Sequence, residues 1–202
     1  MFARLAICAV AAALLLPVGA FANGDPASDY LISQNLFLPF NSKPDNAAVK
    51  RLNDLLAAAA KSEFPIRVAV IGSPGDLGTA SSLFRKSQEY AEFLGKELSF
   101  FYRERLLVVM PNGFGYAVNG NPEPKVGTLL EAVPPPGSEA TAQVEAARLA
   151  VERVAAAEGR EIEVPTGSAA RDRIVIAAVV FAGLAFAAAV LLYRRRREPP
   201  VA

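Results

Sequence analysis

The stretch PIRVAVIGSPGDLG, residues 65–78, decides the fold class of the chain. Its first seven residues are largely β-branched and almost all apolar, which is typical of a strand covered on both faces. The glycine-spaced half that follows has no lysine after Gly78, where a Walker phosphate loop requires one. Pro74 also occupies the slot of the second glycine in a dinucleotide fingerprint. The pattern therefore predicts a strand followed by a turn, not a nucleotide site.

Helical patterns alternate with strand patterns around this stretch. Three segments carry apolar residues at helical spacing and are predicted to be amphipathic helices: residues 44–61, 87–102 and 138–158. Strands are predicted over residues 65–71, 106–110 and 116–118, the last ending at the hairpin signal Asn119-Gly120. Residues 30–40 are expected to be extended, as an edge strand or a packed arm. Helix, strand, helix, strand predicts a parallel pair joined by a right-handed crossover, and hence an α/β fold.

The N-terminal end has the pattern of a secretory signal peptide. Residues 1–22 combine the positive Arg4, a short apolar core and an A-x-A site, with cleavage predicted after Ala22. A first membrane helix is the alternative, but the apolar core is short for a bilayer. The only cysteine, Cys8, lies in this segment, and the chain has no histidine. Disulfides, thiolate or imidazole metal sites and serine-histidine triads are therefore excluded for the mature chain.

The C-terminal end has the pattern of a membrane anchor. Residues 174–193 contain no charge and are long enough to span a bilayer, and four arginines follow at 194–197. The arginines could also bind nucleic acid, but their position beside an apolar segment favours a stop-transfer signal, which keeps residues 194–202 in the cytoplasm. The sequence thus predicts a single-pass plasma-membrane protein. Its N-terminal domain lies outside the cell, and the lipid bilayer contacts residues 174–193.

The predicted exported part comprises a domain, residues 23–158, and a juxtamembrane tether, residues 159–173. Residues 23–170 carry 14 basic and 18 acidic side chains, a net charge of −4. This balance argues against a nucleic-acid partner for the domain.

Four motifs follow one another along the domain: DY at 29–30, PGDLG at 74–78, YAEFLG at 90–95 and LLVVMPNGFG at 106–115. In order and spacing they resemble the TPM domain family, in particular its membrane-anchored actinobacterial members. The resemblance covers most of the exported part. It implies a mixed sheet sandwiched between helices, displayed outside the membrane by one span. Family members have been tied to photosystem repair, acid phosphatase activity, calcium binding and assistance to membrane receptors. An acidic stretch common before the second buried strand is replaced here by YRER at 102–105.

A candidate ligand-binding rim follows from the predicted parallel pair. Ligands of open α/β sheets lie at the carboxyl ends of the strands, where the loops 72–79 and 111–115 would meet. Four side chains would supply oxygens to one crevice there: Ser73, Asp76, Thr79 and Asn112. Such oxygens suit a hard cation such as calcium, with Asp29 or Glu104 as further carboxylates. The alternative is that Asp76 only caps its turn through nearby amides. No other cofactor is expected.

Aromatic residues offer candidate partner contacts. Phe100, Phe101 and Tyr102 could bind a partner, but helical spacing favours a place in the core. Phe114 lies between two glycines, so it is expected either to project toward a partner or to pack on the third helix.

Taken together, the sequence predicts a non-enzymatic accessory domain that acts through an unidentified envelope or membrane protein of a bacterium. The alternative is a weak calcium-dependent phosphatase-like hydrolase that uses Asp76. The lack of histidine and cysteine in the mature chain and the scarcity of grouped acids favour the accessory role.

Overall fold

The computed structural model of the protein describes residues 24–164. The predicted signal peptide (1–22), the end of the tether (165–173), the predicted span (174–193) and the tail (194–202) lie outside the described residues. Among residues 24–164, every helix is too short or too polar to cross a bilayer.

Within residues 24–164, five strands form one mixed sheet whose spatial order follows the chain. They are β1 Leu36–Phe37, β2 Ile66–Val70, β3 Arg105–Met110, β4 Gly113–Val118 and β5 Asn121–Pro122. Strands β1, β2 and β3 are parallel, whereas β4 and β5 add antiparallel hairpins. The predicted α/β class and the predicted parallel pair, β2 beside β3, are therefore confirmed.

Helices pack on both faces of this sheet. They are α1 Pro26–Leu31, α2 Asn46–Lys61, α3 Ser87–Leu98, α4 Pro124–Glu131 and α5 Ala140–Ala157, and a 3₁₀ segment, Pro74–Leu83, follows β2. Helix α1 packs on α3 and on the 3₁₀ segment, and α3 packs on β3 and β4. Helices α2 and α5 pack on each other and on β2, while α4 lies against β4 and α5.

The apolar strand β3 shows why both faces are covered. Leu106, Val108 and Met110 share a buried cluster with Tyr90 and Leu94 of α3. The alternate residues of β3, Leu107 and Val109, are also fully buried and point to the opposite face, where α5 packs on β3. A strand buried on both sides needs an unbroken apolar run, as the sequence has here.

Side-chain caps fix where the two long helices of the second face begin. Asp45 accepts hydrogen bonds from the amides of Ala47 and Ala48 at the start of α2, as expected of an N-cap. Glu139 is the N-cap of α5, where its carboxylate accepts hydrogen bonds from the amides of Thr141 and Ala142. The Asp45 amide donates to Thr141 Oγ1 at 3.1 Å, so the two helix starts are tied together.

The prediction that residues 30–40 are extended is wrong for its first part. Tyr30 lies within α1, and the edge strand β1 has only two residues. The reason lies upstream, where Asp25 caps the first turn and Pro26 occupies its first position, a combination that starts helices.

The prediction that Phe100 and Phe101 belong to the core is also wrong. Helix α3 ends at Leu98, and the amides of Phe101 and Tyr102 both donate to the Leu98 carbonyl, at 2.8 and 2.7 Å. Beyond this tight turn the helical period no longer decides which way a side chain points. The side chains of Phe100 and Phe101 are 87% and 67% exposed.

The hairpin signal at Asn119-Gly120 is confirmed. Both residues have positive φ, 51° and 72°, as a two-residue type I′ turn requires. The turn joins β4 to β5, and Val118 pairs with Asn121 across it.

Candidate functional site

The sheet has two ends with different chemistry. We call the end at which β1, β2 and β3 begin the amino edge, and the end at which they finish the carboxyl edge. The loop after β2 and the Pro111–Asn112 turn after β3 lie together at the carboxyl edge, because Val70 pairs with Val109. This is the geometry on which the predicted rim depends.

Asp76 uses one carboxylate oxygen to hold the turn. Its Oδ2 accepts hydrogen bonds from the Gly72 amide at 3.0 Å, from the Ser73 amide at 2.7 Å and from Ser73 Oγ at 3.0 Å. Asp76 is the third residue of the 3₁₀ segment, and an acid there commonly reaches back to the N-cap amide. These are the hydrogen bonds that the capping alternative predicts.

The other rim residues are not gathered around Asp76. Asn112 Nδ2 donates to the Arg85 carbonyl at 2.8 Å, which ties the β3–β4 turn to the segment before α3. Thr79 is exposed on the 3₁₀ segment. Glu104 precedes β3 at the amino edge, so the expectation that it approaches Asp76 is wrong. In the part of the chain that the structure describes, no three acidic side chains form a group able to hold a metal ion.

Gly78 explains part of the glycine spacing of this loop. Its φ is +53°, and a Cβ there would lie 2.3 Å from the carbonyl oxygen of Gly24. By contrast, a Cβ at Gly72 or Gly75 would meet only ordinary contacts near 3.6 Å. Gly78 therefore allows the N-terminal segment to approach the loop closely, which is a packing role and not an anion-binding one.

That N-terminal segment places a buried acid, Asp25, beside Tyr90. The side chain of Asp25 is 3% exposed and accepts a hydrogen bond from the Ala27 amide at 3.0 Å. Tyr90 Oη lies 2.7 and 2.6 Å from its two carboxylate oxygens. Burial raises the pKa of Asp25 to about 6, and it also raises the pKa of Tyr90. The pair joins α1 to α3.

Each residue of this pair carries a local sequence signal. Asp25-Pro26 is a helix-start signal, and Tyr90 falls on the apolar face of α3. Their contact spans 65 positions, so it cannot be read from local spacing.

Gln143 closes the carboxyl edge from the other face. It is 1% exposed, and its Nε2 donates to the Ile71 carbonyl at 3.2 Å, at the end of β2. A single glutamine in an amphipathic helix carries no sequence signal of burial.

Phe114 lies in β4 and not on a projecting loop. It is half-buried and lines a cleft of about 520 Å³ between the start of α3 and helix α4. Two side chains of α3 bind the outer edge of β4 beside it. Ser87 Oγ donates to the Phe114 carbonyl at 2.9 Å, and Gln88 bonds both the amide and the carbonyl of Tyr116 at 3.0 Å. Part of this strand edge is therefore already satisfied by the domain itself.

The amino edge is built around Arg105 and Glu158. Arg105 Nη2 lies 2.6 Å from Glu158 Oε2, and its guanidinium stacks 4.3 Å above the ring of Phe64. The hydrogen bonds that Arg105 donates to Glu158 raise the pKa of Arg105, and Tyr116 Oη donates to Glu158 at 3.3 Å. Arg160, three residues after the end of α5, forms an ion pair with Glu63 at 3.8 Å and so also contacts this edge. These contacts fix where the described chain leaves the sheet.

A second arginine supports the same edge from the other face. The guanidinium of Arg67 lies 3.9 Å above the ring of Tyr102, and its Nε and Nη1 are buried with no hydrogen-bond partner among residues 24–164. Its Nη2 donates to the Ile32 carbonyl at 3.4 Å. Burial lowers the pKa of Arg67. The cation–π contact with Arg67 holds the ring of Tyr102 in place, and Tyr102 directly follows the exposed pair Phe100 and Phe101 in the chain.

Comparison of the chain with family models, with curated proteins and with solved structures found no match.

Proposed function

We propose that the protein is an exported, single-pass membrane protein whose TPM-like α/β domain serves as an accessory or protein-interaction module at the bacterial cell envelope. Residues 1–22 direct export, residues 174–193 anchor the chain in the plasma membrane, and residues 194–202 stay in the cytoplasm. A mixed sheet with helices on both faces is the architecture that the TPM resemblance implies, which supports this proposal.

The observation that carries the proposal is the charge pattern that follows the folded domain. After Arg160, whose ion pair with Glu63 is the last such contact in the described chain, thirteen residues lead to the uncharged stretch 174–193. Four arginines then follow directly. An apolar segment of this length bounded by a basic cluster is the pattern of a stop-transfer anchor.

The geometry at the carboxyl edge favours an accessory role over calcium-dependent hydrolysis. Three donors already share Asp76 Oδ2, and Asn112 is engaged with Arg85. A cation bound to this oxygen would have to replace hydrogen bonds that hold the turn. A nucleophilic carboxylate has to be free to attack, which conflicts with this capping role.

Extraction of membranes from the native host tests the anchor. We expect the full chain to stay in the pellet after alkaline carbonate treatment, whereas a variant truncated after Val164 is soluble. Release of the full chain by carbonate would contradict the proposal.

A thermal-shift and turnover assay tests the hydrolase alternative. Wild type, Asp76→Ala and the control Asp54→Ala, whose carboxylate pairs with Lys50 on the exposed face of α2, are compared with and without calcium. The accessory role predicts no calcium-dependent shift that depends on Asp76 and no turnover of a phosphate ester. Turnover that disappears only in Asp76→Ala would favour the hydrolase.

A further inference from the structure

The amino edge presents an exposed aromatic pair on a short, well-fixed loop. We call residues 99–104 the aromatic loop. Phe100 and Phe101 are 87% and 67% exposed, and Ile32, at the end of α1, is 40% exposed. Large apolar side chains that stay in water are a cost for a soluble domain, and when grouped they mark a contact surface.

Hydrogen bonds hold the backbone of the aromatic loop in place. Tyr102 Oη donates to the Arg105 carbonyl at 2.9 Å, and Arg103 Nε donates to the Ser99 carbonyl at 2.8 Å. Arg67 stacks on the inner Tyr102, while the Phe101 amide is bonded to Leu98. The two phenylalanines therefore project from an ordered turn, so a partner surface would not have to order the loop first.

The position of the chain end indicates what this surface meets. Helix α5 finishes at the same edge, where Glu158 binds Arg105 and Arg160 pairs with Glu63. Thirteen residues separate Arg160 from residue 174. A chain of that length cannot span more than about 45–50 Å even when fully extended. An anchor at 174–193 would therefore hold Arg160, which lies at the amino edge, within this distance of the bilayer.

The charges around the aromatic loop are mixed. Arg103 and Lys61 are exposed near Glu104 and Glu63, so the edge has no strong basic field. Attraction to anionic lipid headgroups is therefore a weak contribution here. The apolar side chains supply the recognition chemistry, which is partition into the bilayer interface.

We propose that the aromatic loop inserts Phe100 and Phe101 into the outer interface of the bilayer in which the chain is anchored. The domain then sits with its amino edge on the membrane, and its carboxyl edge and the Phe114 cleft face away from it. This inference rests on the proposed membrane anchor. Two side chains suffice because the anchor makes insertion intramolecular, with a high effective concentration of lipid. Free in solution, the same pair would bind membranes only weakly.

Site-directed fluorescence on the full chain in vesicles tests the insertion. Cys8→Ala removes the only native thiol, and Arg103→Cys then places an environment-sensitive probe beside the phenylalanines. This substitution removes the exposed hydrogen bond from Arg103 to the Ser99 carbonyl but keeps the hydrogen bonds of Tyr102 and Phe101 that order the loop. Ser82→Cys, on the exposed 3₁₀ segment after β2, is the matched control. The vesicles contain phosphatidylcholine with and without a spin-labelled lipid quencher. We expect at least about threefold stronger quenching at position 103 than at position 82, unchanged in high salt because insertion is apolar.

Serine variants identify the side chains responsible. Phe100→Ser/Phe101→Ser, in the Arg103→Cys background, should reduce quenching to the level of the Ser82→Cys control. Leu149→Ser, which removes an apolar side chain that is 43% exposed on α5, should leave the quenching at position 103 unchanged. Equal quenching at both probe positions, or quenching that survives the double serine variant, would overturn the proposal. Because both phenylalanines are exposed, the serine variants should fold, and circular dichroism checks this.

Separate outcomes distinguish this inference from the proposed function. Release of the chain by alkaline carbonate refutes the anchor. Retention of the chain with an unquenched probe at position 103 refutes the insertion alone. A probe that is unquenched in phosphatidylcholine vesicles but becomes shielded in native membranes assigns the aromatic loop to a protein partner, which also overturns the insertion.

Discussion

The carboxyl and amino edges of the sheet differ in whether their side chains are bonded within the domain or exposed to water. At the carboxyl edge the polar side chains are used within the domain: Asp76 caps a turn, Gln143 binds the end of β2 and Asp25 binds Tyr90. At the amino edge Phe100 and Phe101 remain in water on an ordered loop. Open α/β sheets usually bind ligands at the carboxyl edge. In this domain an adjacent pair of exposed aromatic side chains, Phe100 and Phe101, lies at the opposite end, near the end of α5.

The largest change in the free energy of unfolding is expected for a substitution at Gly115, where α3 packs on β4. A Cβ at this position would lie 1.9 Å from the Ser87 carbonyl oxygen, so Gly115→Ala must push the start of α3 off the strand. We expect a loss of about 3 kcal/mol or more in the free energy of unfolding. Urea denaturation of a 23–164 fragment measures it.

Gly127→Ala in α4 is the control, because a Cβ there meets no atom within 4 Å. It should leave stability unchanged or raise it by up to about 1 kcal/mol. Equal stability of the two alanine variants would show that α3 is not tightly packed on β4.

The second effect is a pH dependence of stability that comes from the buried carboxyl of Asp25. Folding raises the pKa of Asp25 from 3.8 to about 6, so between these pH values the folded chain keeps a proton that the unfolded chain has released. The free energy of unfolding should therefore fall by on the order of 2 kcal/mol as the pH rises from about 4 to about 6, and then level off. Urea melts of the 23–164 fragment across this range measure the slope.

Asp25→Asn should remove most of this slope, whereas Asp29→Asn, on an exposed position of α1, should keep it. A slope that persists in Asp25→Asn would mean that another group titrates. In that case the Asp25–Tyr90 pair would not be the source of the pH dependence of the free energy of unfolding.

A smaller effect is expected at Asp76. Asp76→Ala removes three hydrogen bonds to one oxygen and should destabilise the 23–164 fragment by about 1 kcal/mol, as loss of a helix cap does. The loss should be the same with and without calcium when melting temperature is followed. Asp54→Ala should have almost no effect, because it removes only an exposed ion pair. A calcium-dependent loss at Asp76 alone would restore the ligand-binding interpretation of the rim.

The smallest effect is predicted at the amino edge. Phe100→Ser/Phe101→Ser should change the stability of the 23–164 fragment by less than about 0.5 kcal/mol, because both side chains are already in water. Phe64→Ser, at a fully buried position under Arg105, should cost more than about 3 kcal/mol in the same urea melts. A large loss in the double serine variant would show that the pair supports the fold and is not available for contact.

Local patterns of the sequence predict much of the sheet and the two long helices of one face. Strand β2 is apolar apart from Arg67, β3 is apolar after Arg105, and α2 (Asn46–Lys61) lies within the predicted helix 44–61. Helix α4 was not predicted, because its eight residues lie between prolines and its apolar stripe is short. The helical period predicts a core position for Phe101, but α3 ends at Leu98, where the amides of Phe101 and Tyr102 both donate to the Leu98 carbonyl in a tight turn.

The candidate site shows the same limit. The sequence identifies Ser73 and Asp76 as neighbours and allows the capping role, because both lie in one turn. It does not reveal that Asn112 turns toward Arg85 or that Asp25 reaches Tyr90, since these partners are distant in the chain. Patterns of period two or 3.6 report which face a residue occupies, but they do not report which partner it meets there.

The accessibility of introduced cysteines in intact spheroplasts tests the central claim most directly. In a Cys8→Ala background, Ser82→Cys reports on the domain and Ala202→Cys reports on the tail, and both are treated with a membrane-impermeant maleimide before and after lysis. The account predicts that position 82 is labelled fully in intact spheroplasts and position 202 only after lysis. Protection of position 82 until the cells are lysed would contradict it.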